Sequence, residues 1–417
     1  MKIAIVGAGA AGLMCAATIA EQNSTAEVFL IEQNDGLGKK VIISGGGRCN
    51  VTTGIQDIRT VLTKYPRGGK FIISALNAFP PSAVYEWFES HGVPLKNEED
   101  DRVFPISDNG QDIVHTFHTI FQSSRIHVML KTRVIQTTKK ANQFLVFLQN
   151  VPEPLICDKL VLTTGGQAYR HTGSTGDGYA FAISLGHTLT KLAPSLNAFF
   201  TYENWPKTVS GLSFPKATIS CRRKKLFSYT GPFLFTHRGV SGPAVFALSS
   251  LIAFETYNAK QPLAFFIDLF PDETADALID RLHFVIKFQP KKSILNTIAT
   301  IIPKSLAEIL LQEIKIPIQK HAIEISKKEI SACVYWLKAI PLHAIARGAG
   351  DEFVTAGGID TTEVHPKTME SKITSGLYFA GEILDIDGYT GGFNLQASWA
   401  TGFIAGSNLA SHQNVSD

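Results

Sequence analysis

The sequence predicts an α/β fold in which a parallel-sheet domain is interrupted by a β-rich insertion and a helical segment. Three observations carry this. First, "KIAIVGAGAAG" (2–12) runs from an apolar stretch into glycines, residues 10–21 suit a helix packed closely on a sheet, and "AEVFLIEQ" (26–33) is a second buried strand ending in an acid. Strand, glycine turn, helix and strand in that order make a βαβ unit, which requires parallel pairing. Second, the same texture returns near the C-terminus. There "GLYFAGEIL" (376–384) ends a strand at Gly-Glu, and "GGFNLQASWATGFIAGSNLA" (391–410) places glycines before a helix. Third, the chain between them differs. From about 190 it is strand-like and aromatic ("ATISCRRKKLFSYTGPFLF", "QPLAFFIDLF"), and beyond Pro271 it is helical with breaks at Pro290, Pro303 and Pro317. The predicted division is a discontinuous nucleotide-binding domain over 1–190 and 341–417, a β-rich domain over 191–271 and a helical segment over 272–340.

The intervening elements follow in order. Residues 51–120 read as loops and amphipathic helix, as in "PSAVYEWFESHGV", and residues 125–149 alternate like paired strands. "DKLVLTTGG" (158–166) is another buried strand stopping at glycines, and "GSTGDGYAFAISLG" (173–186) is a loop feeding a helix that ends at a glycine.

Composition narrows the function classes. With 45% apolar and 18% charged residues the balance is globular. The five cysteines, Cys15, Cys49, Cys157, Cys221 and Cys333, are odd in number and scattered, with no C-x-x-C pair and no Cys/His cluster. Neither a disulfide framework nor a metal site is expected, and a reducing cytoplasm fits best. The N-terminal run resembles a secretory signal, but its regularly spaced glycines would weaken such a helix, and the strand reading explains them. No other run is long and apolar enough to span a bilayer, so no membrane partner is expected; DNA is not expected as a partner either. The net charge of +3 is uneven: residues 190–340 hold 19 Lys+Arg against 11 Asp+Glu, a net of +8, which leaves −5 elsewhere.

Gly7-x-Gly9-x-x-Gly12 means little alone in a chain with 34 glycines. Here it follows a strand, opens a helix, and has Glu32 twenty residues beyond Gly12 at the end of the next strand. Gly7 permits the tight turn, Gly9 lets backbone approach a pyrophosphate, and Gly12 allows close helix packing. The helix start offers free N–H groups, and Glu32 can accept hydrogen bonds from ribose hydroxyls. A short NAD domain has no need of a second glycine motif, whereas Gly381-Glu382 and the helix start at Gly391-Gly392-Phe393-Asn394-Leu395 could face the pyrimidine edge of a flavin. FAD is therefore favoured as the resident cofactor.

The segments "KKVIISGGGRCNVT", "DDRVFPIS", "TGGQAYRHTGSTGDGYAFAISLGH", "FTHRGVSGPA", "TAGGID" and "GLYFAGEILDIDGYTGGFNLQASWATGFIAG" together resemble the YhiN/BaiN-type (HI0933-like) flavoproteins, in order from residue 1 to about 410. The resemblance implies a glutathione-reductase-like, Rossmann-type FAD-binding domain with an inserted β-domain and helical segment. It implies cofactor contacts from Gly7, Ala8, Gly9, Ala11, Gly12, Glu32, Lys40, Ser44, Gly46, Arg48, Asn50, Val134, Gly165, Gly166, Gly381, Glu382, Gly392, Phe393, Asn394 and Leu395. Arg48 would face phosphate or carbonyl oxygens of the cofactor. Cys49 stands where a thiol could face the reacting carbon, or packs inertly. His171 is the second catalytic candidate, with a surface histidine as the bland alternative. His237 keeps the family's His-x-Gly pattern, Arg238 does not, and Tyr389 stacks or belongs to the core.

Family members are associated with reduction of activated C=C bonds, including bile-acid enones and a uridine of 23S ribosomal RNA, and with oxidation of small amines. Reduction of such a bond needs hydride from the flavin, donors to the conjugated carbonyl and one proton. NAD(P)H is expected as a transient reductant, since no second G-x-G-x-x-G unit is present. Ribosomal RNA is the favoured substrate because "CRRKKLFSY" (221–229) sets Arg222, Arg223, Lys224 and Lys225 beside Phe227 and Tyr229. A small-molecule flavoenzyme, and an RNA- or ribosome-binding protein with structural FAD, are the rival readings.

Overall fold

The computed structural model describes residues 1–22, 24–348 and 352–411. The chain divides into two compact units, Met1–Ser195 with Gly350–Asp417, and Leu196–Ala349.

The first unit is built on a five-stranded sheet in the order Leu377–Phe379, Lys159–Leu162, Lys2–Val6, Glu27–Ile31, Ile126–Met129, with every adjacent pair parallel. The apolar run Ile3–Val6 is buried throughout, as a central parallel strand covered on both faces must be. Its neighbours lie on opposite sides: Glu27–Ile31 follows it in the chain, and Lys159–Leu162 arrives much later. The C-terminal end of Lys2–Val6 is thus a topological switch point, the place where open α/β sheets bind ligands.

Residues 126–129 correct one expectation. They pair in parallel with Glu27–Ile31 rather than with the strand after them, which forms its own antiparallel sheet of Val134–Lys140, Gln143–Leu148 and Leu155–Cys157. The helix Ala10–Glu21 is buried from Ala10 to Ile19, so it is apolar all round. It lies against the C-terminal helix Phe393–Ser411 along a seam of small residues. A Cβ added at Gly402 would stand 2.4 Å from the Ala11 carbonyl oxygen, and one at Gly406 2.7 Å from that of Cys15. Only glycine permits that approach.

The second unit is a closed six-stranded barrel in the order Phe199–Thr201, Gly239–Ser241, Leu226–Thr236, Ser213–Arg222, Leu263–Asp268, Ile340–Arg347. Its strands alternate buried and exposed positions, as in Leu263, Phe265 and Ile267 against Ala264 and Phe266. Helices Pro243–Leu251, Ala275–Phe288, Ile294–Ile298, Lys304–Glu313 and Lys327–Lys338 share its apolar core. Residues 341–347, which sequence texture assigns to the nucleotide-binding part, fold here. Their strand pairs with Leu263–Asp268 on one side and Phe199–Thr201 on the other, and so closes the barrel. Among the described residues no helix is long and apolar enough to cross a membrane.

Candidate cofactor and substrate site

The first glycine turn sits at the switch point. Gly7 has φ +102°, and a Cβ there would lie 2.7 Å from the Thr163 carbonyl oxygen of the adjacent strand end, so the turn is tight against its neighbour. At Gly12 a Cβ would be 2.0 Å from the Gly7 oxygen, whereas at Gly9 it would meet nothing within 4 Å. Two glycines of one motif are thus required by protein packing and the third is not. Gly9 caps the helix Ala10–Glu21, whose start carries no side-chain cap and no acid in its first turn. First-turn N–H groups therefore remain available to an anion. The Ala8 N–H donates to Glu32 Oε2 at 2.9 Å, and Asn34 donates to Oε1 from its backbone N–H at 2.9 Å and its Nδ2 at 2.7 Å. These bonds fix the buried Glu32 carboxylate: Oε1 is filled by two donors, and Oε2, with one, keeps a lone pair for a ligand.

The C-terminal motif converges on the same helix. Gly381 follows the strand Leu377–Phe379, and a Cβ on it would stand 2.7 Å from the Ala11 side chain. Glu382 forms an ion pair with Lys40 at 2.6 Å, with both side chains mostly buried. A Cβ on Gly392 would lie 2.2 Å from the Thr52 carbonyl oxygen. Asn394 ties the preceding loop together: its Oδ1 accepts from the Gly388 N–H at 2.8 Å and its Nδ2 donates to the Gly388 oxygen at 3.0 Å. Phe393 is buried with its carbonyl accepting from the Tyr65 hydroxyl at 2.7 Å, and Leu395 is half-buried in the helix's first turn. Tyr389 is buried, so its ring belongs to the core.

The stretch "ISGGGRCN" is a tight turn in which a Cβ on Gly46 or Gly47 would also meet nothing within 4 Å. Ser44 Oγ donates to the Val41 oxygen at 2.8 Å, and Asn50 Oδ1 accepts from the Val103 N–H at 3.2 Å. Arg48 departs from the expectation of a cation facing a cofactor. Its guanidinium is paired with Glu98 at 2.7 Å and Asp108 at 3.3 Å and lies 3.8 Å from the Phe104 ring centre. The Glu98 hydrogen bond is the main reason its pKa is raised. Cys49 is 0% exposed, and burial pushes its thiol up to about 12 against a small opposing effect of Ser44. Its φ of +60° is uncommon for a residue with a side chain.

His171 is exposed in the short helical turn Arg170–Thr172. That loop is tied to the end of the second strand, with Asn34 Nδ2 donating to the Thr172 oxygen at 2.9 Å and Gln33 Nε2 to the Gly173 oxygen at 2.7 Å. Val134 is buried two residues beyond Thr132, whose N–H donates to the Glu32 backbone carbonyl at 2.9 Å. Gly165 and Gly166 follow the strand Lys159–Leu162, and a Cβ on Gly166 would approach Thr355 Oγ1 to 2.6 Å and the Tyr179 hydroxyl to 3.2 Å.

Sequence reasoning missed several polar groups here. Among the described residues, buried atoms of Tyr179 (the hydroxyl), Thr164 (Oγ1) and Asp385 (Oδ1) have no hydrogen-bond partner. Burial raises the Asp385 pKa, with Asp387 and Asp360 adding to it and Thr190 and Arg67 opposing. Beside it, Arg67 pairs with the buried Asp387, which also accepts from Ser195 Oγ at 3.0 Å. The signal available was the Asp-x-Asp that follows Gly381-Glu382. His237 and Arg238 lie exposed in the barrel unit, with the Arg238 guanidinium 4.3 Å from the Phe200 ring centre. Among the described residues no cluster of His, Cys, Asp and Glu could hold a metal ion.

FAD fits this arrangement: the backbone is open at Gly9 and Gly46, and the helix start at Gly9 is uncapped. Residues 1–408 match the profile described as HI0933-like protein Rossmann domain. The chain is 30% identical over 410 residues to the 3-dehydro-bile acid delta(4,6)-reductase of Clostridium scindens, covering 97% of this chain and 98% of that protein. It is 29% identical over 412 residues to the ribosomal RNA dihydrouridine synthase of Escherichia coli, covering 97% of each. A solved structure of 3-ketosteroid delta1-dehydrogenase from Sterolibacterium denitrificans with 1,4-androstadiene-3,17-dione shares the fold. Its TM-score is 0.51 at 11% identity, over 98% of this chain and 99% of that one. With a profile match that runs from the first glycine turn into the C-terminal helix, this chain belongs to the HI0933-like family and has a Rossmann-type FAD-binding fold.

Proposed function

We propose that this FAD-dependent oxidoreductase reduces a carbonyl-conjugated C=C bond, namely C5=C6 of a uridine in 23S ribosomal RNA, with NAD(P)H as electron source. One observation carries the reading: end-to-end likeness to two relatives whose names share one chemistry. A bile-acid reductase and a dihydrouridine synthase each saturate a bond made electron-poor by conjugation. Once bound and reduced by NAD(P)H, the flavin would supply hydride to such a carbon.

The chain's own residues hold and orient. The turn at Gly7, Gly9 and Gly12 and the helix start behind it take the pyrophosphate, and Glu32 takes ribose hydroxyls. The Lys40–Glu382 pair and the Phe393–Ser411 helix start, with its negative-charge-favouring N–H groups, frame the reacting end. Of the two proton-donor candidates, Cys49 is sealed inside and holds its proton tightly, so we assign it to packing. His171, exposed on a glycine-rich loop at the strand ends, is the group free to pass a proton to a bound substrate.

RNA is favoured over a small enone by the basic region 190–340 and by the exposed hairpin tip Arg222, Arg223, Lys224, Lys225. Arg223 is 3.6 Å from Glu255, and Lys225 lies 4.9 Å from the Phe227 ring centre. The deciding experiment is mass spectrometry of 23S ribosomal RNA from cells with and without this gene. Loss of one dihydrouridine is expected. Identical modification in both strains, with flavin reoxidised by a small enone, would move the assignment to the bile-acid-reductase type of reaction.

A further inference from the structure

The hairpin expected to combine cations with stacking aromatics does so only in part. Phe227 and Tyr229 pack against the barrel core, and burial raises the Tyr229 pKa, so the tip offers charge without free rings. Free rings stand elsewhere in the same unit. On the helix Ala275–Phe288, Leu278 and Leu282 are buried, while Phe284 and Phe288 are 63% and 67% exposed. The two rings are one helical turn apart, with centroids 4.6 Å apart and planes tilted by 49°. The two rings in contact make a small exposed apolar patch rather than two scattered side chains.

Charge identifies that partner. The stretch "FVIKFQPKK" (284–292) interleaves the rings with Lys287, Lys291 and Lys292 and contains no acid. Among the described residues none of these three lysines forms an ion pair. Asp276 and Asp280, two turns and one turn before Phe284, are the acids on that helix face. Unpaired cations that alternate with exposed flat rings complement a chain of phosphates carrying unstacked bases. They do not complement a second copy of this face, which would bring like charges together.

We propose that Phe284, Phe288, Lys287, Lys291 and Lys292 form a docking surface for single-stranded RNA, with bases stacking on the two rings and phosphates meeting the lysines. This deepens the ribosomal RNA reading and rests on it.

The test is fluorescence anisotropy of a labelled, unstructured oligoribonucleotide over a salt series. It uses the FAD-loaded wild type, Phe284→Ala/Phe288→Ala, Lys287→Gln/Lys291→Gln/Lys292→Gln, and the hairpin-tip variant with Gln at 222–225. Removing both rings should weaken binding by roughly tenfold or more and leave the salt slope unchanged. Removing the three lysines should flatten the slope by about 0.7 per lost contact. FAD retention and melting temperature should stay at wild-type values in both, because the residues lie in the barrel unit and are exposed, apart from the half-buried Lys292. Wild-type affinity in both helix variants, with loss only in the hairpin variant, would overturn the proposal and leave the RNA reading intact. A wild type that ignores RNA while a small enone reoxidises its flavin would overturn both. Reduced self-association in the ring variant, with RNA binding unchanged, would assign the surface to a second copy instead.

Discussion

The three glycines of the first turn serve different masters, and two substitutions separate them. At Gly12 an added Cβ falls 2.0 Å from the Gly7 oxygen, where ordinary contact begins at 3.4 Å, so roughly 1.4 Å must be taken up by moving helix against turn. Overpacking of this kind costs about 1–3 kcal/mol. At about 2 °C per kcal/mol for a unit of this size, Gly12→Ala should lower the melting temperature of the FAD-free protein by roughly 2–6 °C. Gly9 is the opposite case. Its backbone (φ −81°, ψ −170°) suits any residue, and its Cβ would meet nothing within 4 Å. Gly9→Val should therefore leave the FAD-free melting temperature within about 1 °C. The same side chain fills the space a pyrophosphate needs, so FAD affinity should fall by roughly a hundredfold, about 2.7 kcal/mol. The assays are calorimetry of the FAD-free proteins and flavin absorbance co-eluting with protein on gel filtration. A yellow Gly9→Val protein with wild-type affinity would refute the placement of the cofactor. A Gly12→Ala protein that melts like wild type would refute the packing argument.

Cys49→Ala should retain FAD and turn over within a few-fold of wild type, at a cost of about 1 kcal/mol for a buried sulfur. A drop of roughly a hundredfold with FAD retained would instead make the thiol the proton donor. Asp385→Asn tests the raised carboxyl. A carboxyl whose pKa is raised in the fold contributes stability that is fully present below the unfolded carboxylate pKa of about 4 and is lost as pH rises through the folded value. The asparagine variant should therefore match wild type near pH 4 and melt progressively higher than wild type as pH rises. A gap that is flat with pH, or that reverses, would contradict the assignment. Gly402→Val should cost roughly 3 kcal/mol or more by driving a branched side chain into the Ala11 backbone, measured by denaturant unfolding, and it should weaken FAD binding as well.

What could be read from sequence was local. The order strand, Gly7-x-Gly9-x-x-Gly12, helix, strand defines its own geometry within thirty residues, and Lys2–Val6, Ala10–Glu21 and Glu27–Ile31 lie where the pattern places them. What sequence hid was partnership at a distance. Arg48 carries an obvious charge, yet Glu98 and Asp108, which bind it, come from a different sheet and loop. Ile126–Met129 alternates like half of a hairpin, but its partner is a strand a hundred residues earlier. The alternation in Ile340–Arg347 shows a strand without showing which sheet it joins. Gly402 and Gly406, spaced by one helical turn, were a legible sign of close helix packing.

That seam explains why two glycine motifs far apart in the chain must act together. Ala11 stands in the first turn of the helix that follows Gly9, where the free N–H groups are. It is met on one side by Gly381 at the end of a strand and on another by Gly402 of the C-terminal helix. Ordinary contact begins at 3.4 Å, so a side chain at Gly381 would push Ala11, and with it the N–H groups, by roughly 0.7 Å, and one at Gly402 by roughly 1.0 Å. Gly392 is fixed in turn against the Thr52 backbone, and Gln396 one turn later accepts from the Thr52 hydroxyl at 2.5 Å, so the second helix start is held to the segment carrying Cys49 and Asn50. Positions 11, 381, 392 and 402 are thus one mechanical unit in which missing side chains set the aim of two helix ends. Precision of that kind survives exchange of surface residues but not the addition of one methyl group at the seam.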